Sequence, residues 1–198
     1  MGMTMSMRRL VPGELLSAIG DPEYGGRLST YVPMPMPPAI VEKMREKLAA
    51  APPERRAAIE KRLQDAGDPR ALGLDKAWHL IHFLLSGATS MDVAGPGSAP
   101  AAQIILGIHK TAYESGYGPA LYLFADEVQR CATVFSSIPD QSIQDRLINS
   151  KNVEREIYGG VWSGNEKEGE MLLGVISRVR TFFTEAADAG DGIFKAIT

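Results

Sequence analysis

The sequence predicts a helix-rich α+β domain, and three observations predict it. Met3, Met5 and Met7 alternate with Thr4, Ser6 and Arg8, the period-2 pattern of a strand with one face in the core. Leu172, Val175, Ile176, Val179, Phe182, Phe183 and Ala186 recur with the 3.6-residue period of a long amphipathic helix. The segment Lys76 to Ser86 is apolar nearly all round, which marks a helix buried among other elements.

Composition narrows the function classes. The chain has 198 residues, 44% apolar and 23% charged, enough for one domain over 1–198 with a core that needs no staples. Its formal charge is −3, without the basic surplus on which phosphate binding depends, so nucleic acid is not an expected partner. Cys131 is the single cysteine, which excludes an internal disulfide and a multi-thiolate zinc site. Val128, Ala132 and Phe135 put it on an apolar helical stripe, the setting of an inert buried thiol. Arg8 and Arg9 fall where a signal peptide would be apolar. The longest apolar run, Ala77 to Leu85, is far short of the ~20 residues of a membrane span. A cytoplasmic location, with no membrane, is the expectation.

The elements follow in chain order. After the first strand, Met3 to Leu10, Pro12 opens a short helix that Gly20 can close. Residues 21–38, with Asp21-Pro22, Gly25-Gly26 and a run of prolines, read as a linker or extended arm. Residues 39–66 read as a helical hairpin appended to the domain: Ile40, Val41, Met44 and Leu48 form one thin stripe, Ile59 and Leu63 another, and Pro52-Pro53 the break. Asp75 is placed to cap the helix Lys76 to Ser86, with Gly87 beyond its end. Residues 88–100 form a loop, and Pro100 starts a helix through Ile104, Ile105 and Ile108. Ala120 to Phe124 is a strand. A helix burying Val128, Cys131, Phe135 and Ile138 follows, and then a short one from Asp140 to Ile148. The long helix spans 168–187, and Gly190 and Asp191-Gly192 turn the chain into a last strand, Ile193 to Ile197.

Five blocks in this order resemble the YfbM-like family of bacterial proteins, a domain of unknown function. They are Met1-Gly2-Met3; Leu74 through Gly87; Leu106-Gly107 with Gly116-Tyr117-Gly118-Pro119-Ala120-Leu121-Tyr122-Leu123; Glu156-Ile157-Tyr158 with Gly160 and Trp162; and Ala186 through Asp191. The resemblance implies helices packed around a small central mixed sheet in a three-layer α/β-type arrangement. It implies no established reaction, so no catalytic residue is carried over. Gly159 replaces the proline usual after the tyrosine, and a looser turn is expected there. Val11 and Ala125 stand where a capping Ser or Thr is expected.

Few constellations carry chemistry. His79 and His82 share a helix side, but no acidic ligand lies one turn away. His82 shares its face with Trp78, the pattern of a hydrogen-bonded core histidine rather than a metal site. Gly95-Pro96-Gly97-Ser98 lacks the Gly-Lys-Ser/Thr ending of a phosphate loop. Gly116-Tyr117-Gly118-Pro119 and Tyr158-Gly159-Gly160 with Trp162 place aromatics on glycine turns, which either bind partners or tuck into the core. The sequence reading is therefore a binding or interaction module without cofactor or metal, docking a protein partner such as a bacterial toxin for which it is the immunity protein. Its candidate residues are Tyr117, Tyr158, Trp162, His82 and Trp78. The alternative is an enzyme with His82 as acid/base, assisted by Tyr117 or Tyr158.

Overall fold

The computed structural model describes residues 2–32, 38–65, 68–92, 95, 97–160 and 163–198. The methionine alternation forms strand β1 (Met5–Leu10), which sends Met5 and Met7 into the main core and Leu10 to the opposite face. It pairs on one side with β2 (Ala71–Asp75) and on the other with β5 (Gly192–Ile197). Beyond β5 lie β4 (Gly118–Leu123) and β3 (His109–Ser115), giving the order β2-β1-β5-β4-β3. Both predicted terminal strands thus belong to the sheet, and β5 occupies its centre.

All neighbouring strands are antiparallel, where a mixed sheet was expected. The reason lies in the excursion between β4 and β5. It leaves the sheet after Leu123 and re-enters opposite the same residue, at Ile193. A strand returning at the end its predecessor left must run the other way. β5 therefore runs opposite to both β1 and β4.

The excursion comprises α7 (Ala125–Ser137), α8 (Asp140–Asn149), a 3-10 segment (Ser150–Glu156) and the long α9 (Glu166–Ala189). With α5 (Trp78–Ser86) and α6 (Pro100–Leu106), these helices cover the sheet face that carries Met5, Met7, Leu74, Leu123 and Ile193. The other face, with Leu10, Ala120, Tyr122, Phe194 and Ala196, is covered by α1 (Pro12–Gly20) and α2 (Pro22–Leu28). Helices on both sides of one sheet make three layers. The α+β class is as predicted.

Several local expectations change. α2 lies inside the stretch read as a linker. Asp21 Oδ1 accepts the backbone N–H groups of Glu23 and Tyr24 at 2.9 and 3.2 Å, and Pro22 fits the first helical position. Its glycines permit close packing rather than a turn, since a Cβ on Gly25 would stand 3.0 Å from Tyr113 Cβ. Asp75 does not cap α5. It ends β2 at φ 46°, a left-handed conformation that Asp tolerates, and Ala77 takes the cap position. Neither α1 nor α7 has a hydroxyl cap. Instead Glu14 and Glu127 accept the N–H of Val11 and Phe124 at 3.3 and 2.9 Å, which is the reverse half of a capping box.

Helices α3 (Pro38–Ala50) and α4 (Pro53–Asp65) fall where the hairpin was read, and they pack chiefly on each other. None of their described side chains is buried, Leu48 included, whereas Leu84 and Leu85 of α5 are fully buried. Leu85→Ala should therefore cost about 2–5 kcal/mol in urea melts, as lost transfer energy plus a residual cavity, and Leu48→Ala clearly less. Equal losses would contradict this division between core and periphery.

Candidate functional site

The site begins at the left-handed Asp75, which turns the chain off β2 and presents Lys76 at the surface before α5 starts. Trp78 and His79 open α5 with their rings stacked 5.1 Å apart, and Tyr158 lies over Trp78 at 6.3 Å. His79 is held from both sides. Its Nδ1 accepts the Tyr158 backbone N–H at 2.8 Å, so the ring proton is on Nε2, which donates to the Thr89 carbonyl at 2.9 Å. With both nitrogens engaged, His79 has no lone pair left for a metal. The Tyr158 hydroxyl accepts the Met3 N–H at 2.6 Å, tying the start of the chain to this knot.

Gly159 makes the knot tight, against the expectation of a looser turn. It sits at φ 84°, which the ring of proline forbids. A Cβ there would stand 2.7 Å from the Lys76 carbonyl oxygen. Glycine lets the turn lie directly against the backbone of Lys76.

Beside the knot is an open cleft of about 500 Å³ lined by Gly2, Thr4, Tyr31, Lys76, Tyr117 and Thr198. Its floor is the backbone pairing of Thr4 with Thr198, at 2.8 and 2.9 Å. Tyr117, on the β3–β4 turn, is 51% exposed, and Tyr31 is 58% exposed. Lys76 makes no hydrogen bond or ion pair with any described residue. Two aromatic rings and a lysine without a described ionic partner thus border one concavity.

The predicted residues therefore separate. Tyr117 reaches the cleft. Tyr158 lies half-buried behind it, as the clamp on Met3 and His79. Trp78 and His82, each 1% exposed, are sealed in the core and do not line the cleft. Trp162 lies outside the described residues. Tyr31 and Lys76 were not singled out from the sequence. Nothing in it brings residues 31, 76 and 117 together, because the sheet does that.

The sequence matches the family described as "Domain of unknown function (DUF1877)" over residues 1–194. The chain belongs to this family. Among solved structures it is similar to the protein of unknown function YfbM from Escherichia coli, at 15% identity and TM-score 0.56, covering 98% of this chain and 99% of that one. At that identity the likeness shows the fold alone. No curated protein matches the sequence.

In this DUF1877 chain two further groups escaped the sequence reading. His109 Nε2 bonds Glu127 Oε1 at 2.8 Å, and its ring stacks on Tyr122 at 5.0 Å. Lys195, on the central strand, is wholly buried. A signal for Lys195 did exist. Period-2 alternation in Ile193-Phe194-Lys195-Ala196-Ile197 puts it on the face of Ile193 and Ile197. Cys131 is buried as its stripe implied, and burial pushes its thiol up to about 11. No described helix is long and apolar enough to cross a membrane.

His82 sets a pH dependence for the DUF1877 fold. Burial, then the neighbouring His79 and Lys195, push it down to about 4. Among the described residues its Nδ1 has no hydrogen-bond partner, and its Nε2 lies 3.4 Å from the Ser86 hydroxyl. The folded state therefore prefers neutral His82. The unfolded chain, with a pKa of about 6.5, binds more protons between the two values. Stability from this group should be full above pH ~6.5 and fall by about 3 kcal/mol as the pH drops to ~4. In urea melts across that range, His82→Gln should flatten the profile relative to wild type. Superimposable slopes would contradict the assignment.

Proposed function

We propose that this chain is an interaction module that receives a protein partner at the cleft bordered by Tyr31, Tyr117 and Lys76. One observation carries the reading: exposed aromatics and a lysine with no ion-pair partner among the described residues gather around an open concavity, while the histidine best suited to proton transfer is sealed away from it. Tyrosine suits such a surface because its ring buries apolar area and its hydroxyl bonds at the edge. Lysine adds attraction for an acidic group and speeds encounter. Acid–base catalysis by His82 has no support in this arrangement. A general base must reach the proton it takes, and His82 is 1% exposed. The reading sets the partnership in the bacterial cytoplasm, where a toxin bound by its immunity protein is one form of it.

Affinity capture from the native cell tests this when wild type is run beside Tyr117→Ala and Lys76→Glu. Both substitutions lie at exposed positions and should leave the melting curve unchanged. A protein captured by the wild type should bind each variant at least tenfold more weakly, a loss of about 1.4 kcal/mol. Equal capture by all three would remove the cleft from the account.

A further inference from the structure

We propose that the occupant of the cleft is a partner segment in which an acidic residue stands beside an aromatic one, the carboxylate going to Lys76 and the ring to Tyr117. The inference rests on the docking reading above and supplies the chemistry of what docks. Of the six residues that line the cleft, Lys76 alone has a charged side chain. Its ammonium has no ion-pair partner among the described residues. An acidic side chain therefore meets attraction in the cleft, and a basic one meets a like charge. The floor offers little competition for the acid. Thr4 and Thr198 exchange backbone bonds at 2.8 and 2.9 Å, and the Thr4 hydroxyl also donates to the Thr198 carbonyl at 3.2 Å. With these groups engaged, recognition of a charge falls to Lys76.

Both anchors are seated before anything binds. The Lys76 side chain lies across Gly2, where a Cβ would stand 2.9 Å from its Cε and 3.3 Å from its Nζ. The same Cβ would come 2.6 Å from the Tyr158 hydroxyl. Glycine at position 2 thus leaves room for the lysine stem beside the knot. Tyr117 rides on the β3–β4 turn, which Ser115 ties to the end of β5. The Ser115 hydroxyl is shared between the carbonyls of Gly118 and Ile197 at 2.7 and 2.8 Å. Gly116 backs onto Thr198, whose Cα would lie 4.0 Å from a Cβ there. Groups already in position lose less freedom when a partner arrives.

The aromatic half of the motif follows from the rim. The half-exposed Tyr117 ring can stack on or meet edge-on a second ring, which is worth more than the area buried. Tyr31 borders the same space. A cleft of about 500 Å³ has room for a ring as well as a carboxylate, since pockets of about 300–1,000 Å³ hold small ligands.

NMR of the isotope-labelled full chain tests the motif with acetyl-Asp-Phe-amide as the probe, titrated beside acetyl-Asn-Phe-amide, acetyl-Asp-Ala-amide and acetyl-Lys-Phe-amide. The probe should shift the amides of Gly2, Lys76 and Tyr117. It should bind about threefold more tightly than the Asn peptide, the effect of one exposed charge pair. The Ala and Lys peptides should also bind more weakly than the probe. The advantage of Asp over Asn should vanish in Lys76→Gln and shrink with added salt. The advantage of Phe over Ala should vanish in Tyr117→Ala. Equal binding of the Asp and Asn peptides, an advantage that survives Lys76→Gln, or no shift at those three amides would overturn the proposal. Phenylacetate binding as tightly as the probe would also overturn it, by giving the cleft to a free aromatic acid. Capture and titration fail separately. A captured partner that depends on Tyr117, with no preference for Asp over Asn, leaves the docking reading and overturns this one. The Lys76-dependent preference without a captured partner supports this chemistry and counts against the docking reading.

Discussion

The structure depends on β5 lying between β1 and β4. Without it the sheet is two separate antiparallel pairs, β2 with β1 and β4 with β3, and an isolated two-stranded pair is marginal in water. β5 joins them through continuous register, from Met5 opposite Ile197 to Leu10 opposite Gly192 on one side, and from Leu121 opposite Lys195 on the other. It also supplies both cores, sending Ile193 to the main cluster and Phe194 and Ala196 to the α1–α2 side. Its entry is pinned by Arg9, which bonds Asp191 and Glu185 at 3.3 and 2.7 Å. The two halves are thus stabilised by a strand that comes after every described helix in chain order.

That constraint positions the cleft and the buried lysine. Thr198, just past β5, pairs with Thr4 and so forms the floor of the cleft, while the β3–β4 turn brings Tyr117 to its rim. Lys195 reaches α6 because it sits mid-strand, on the face that the large helices cover. The Tyr158 knot secures the same edge by joining Met3, His79 and the Lys76 turn. The cleft and the buried amine therefore share one strand and its two neighbours.

Much of the fold was legible because its signals are local. The methionine alternation, the 3.6-residue stripe of α9 and the apolar α5 each declare their environment in a short window. What escaped depends on tertiary context. β2 offers only Leu72 and Leu74 around Gly73, and β3 is an edge strand with exposed Lys110, Ala112 and Glu114 and an irregular register, so neither shows clean alternation. α2 was hidden by Gly25 and Gly26, whose reason is the closeness of Tyr113. The site was half legible. The glycine turns at Tyr117 and Tyr158 left open whether their rings bind partners or tuck into the core, and the structure divides them: Tyr117 is exposed and Tyr158 is a half-buried clamp. The direction of the sheet could not be read, because it depends on where a long helical excursion re-enters.

Native-state hydrogen exchange across the sheet tests the central place of β5 most directly. If both strand pairs depend on it, the β1 and β4 amides bonded to β5 should exchange only through global unfolding, with the same free energy as β5 itself. A β3–β4 or β1–β2 pair that retains its protection while β5 exchanges through a lower-energy opening would contradict the account.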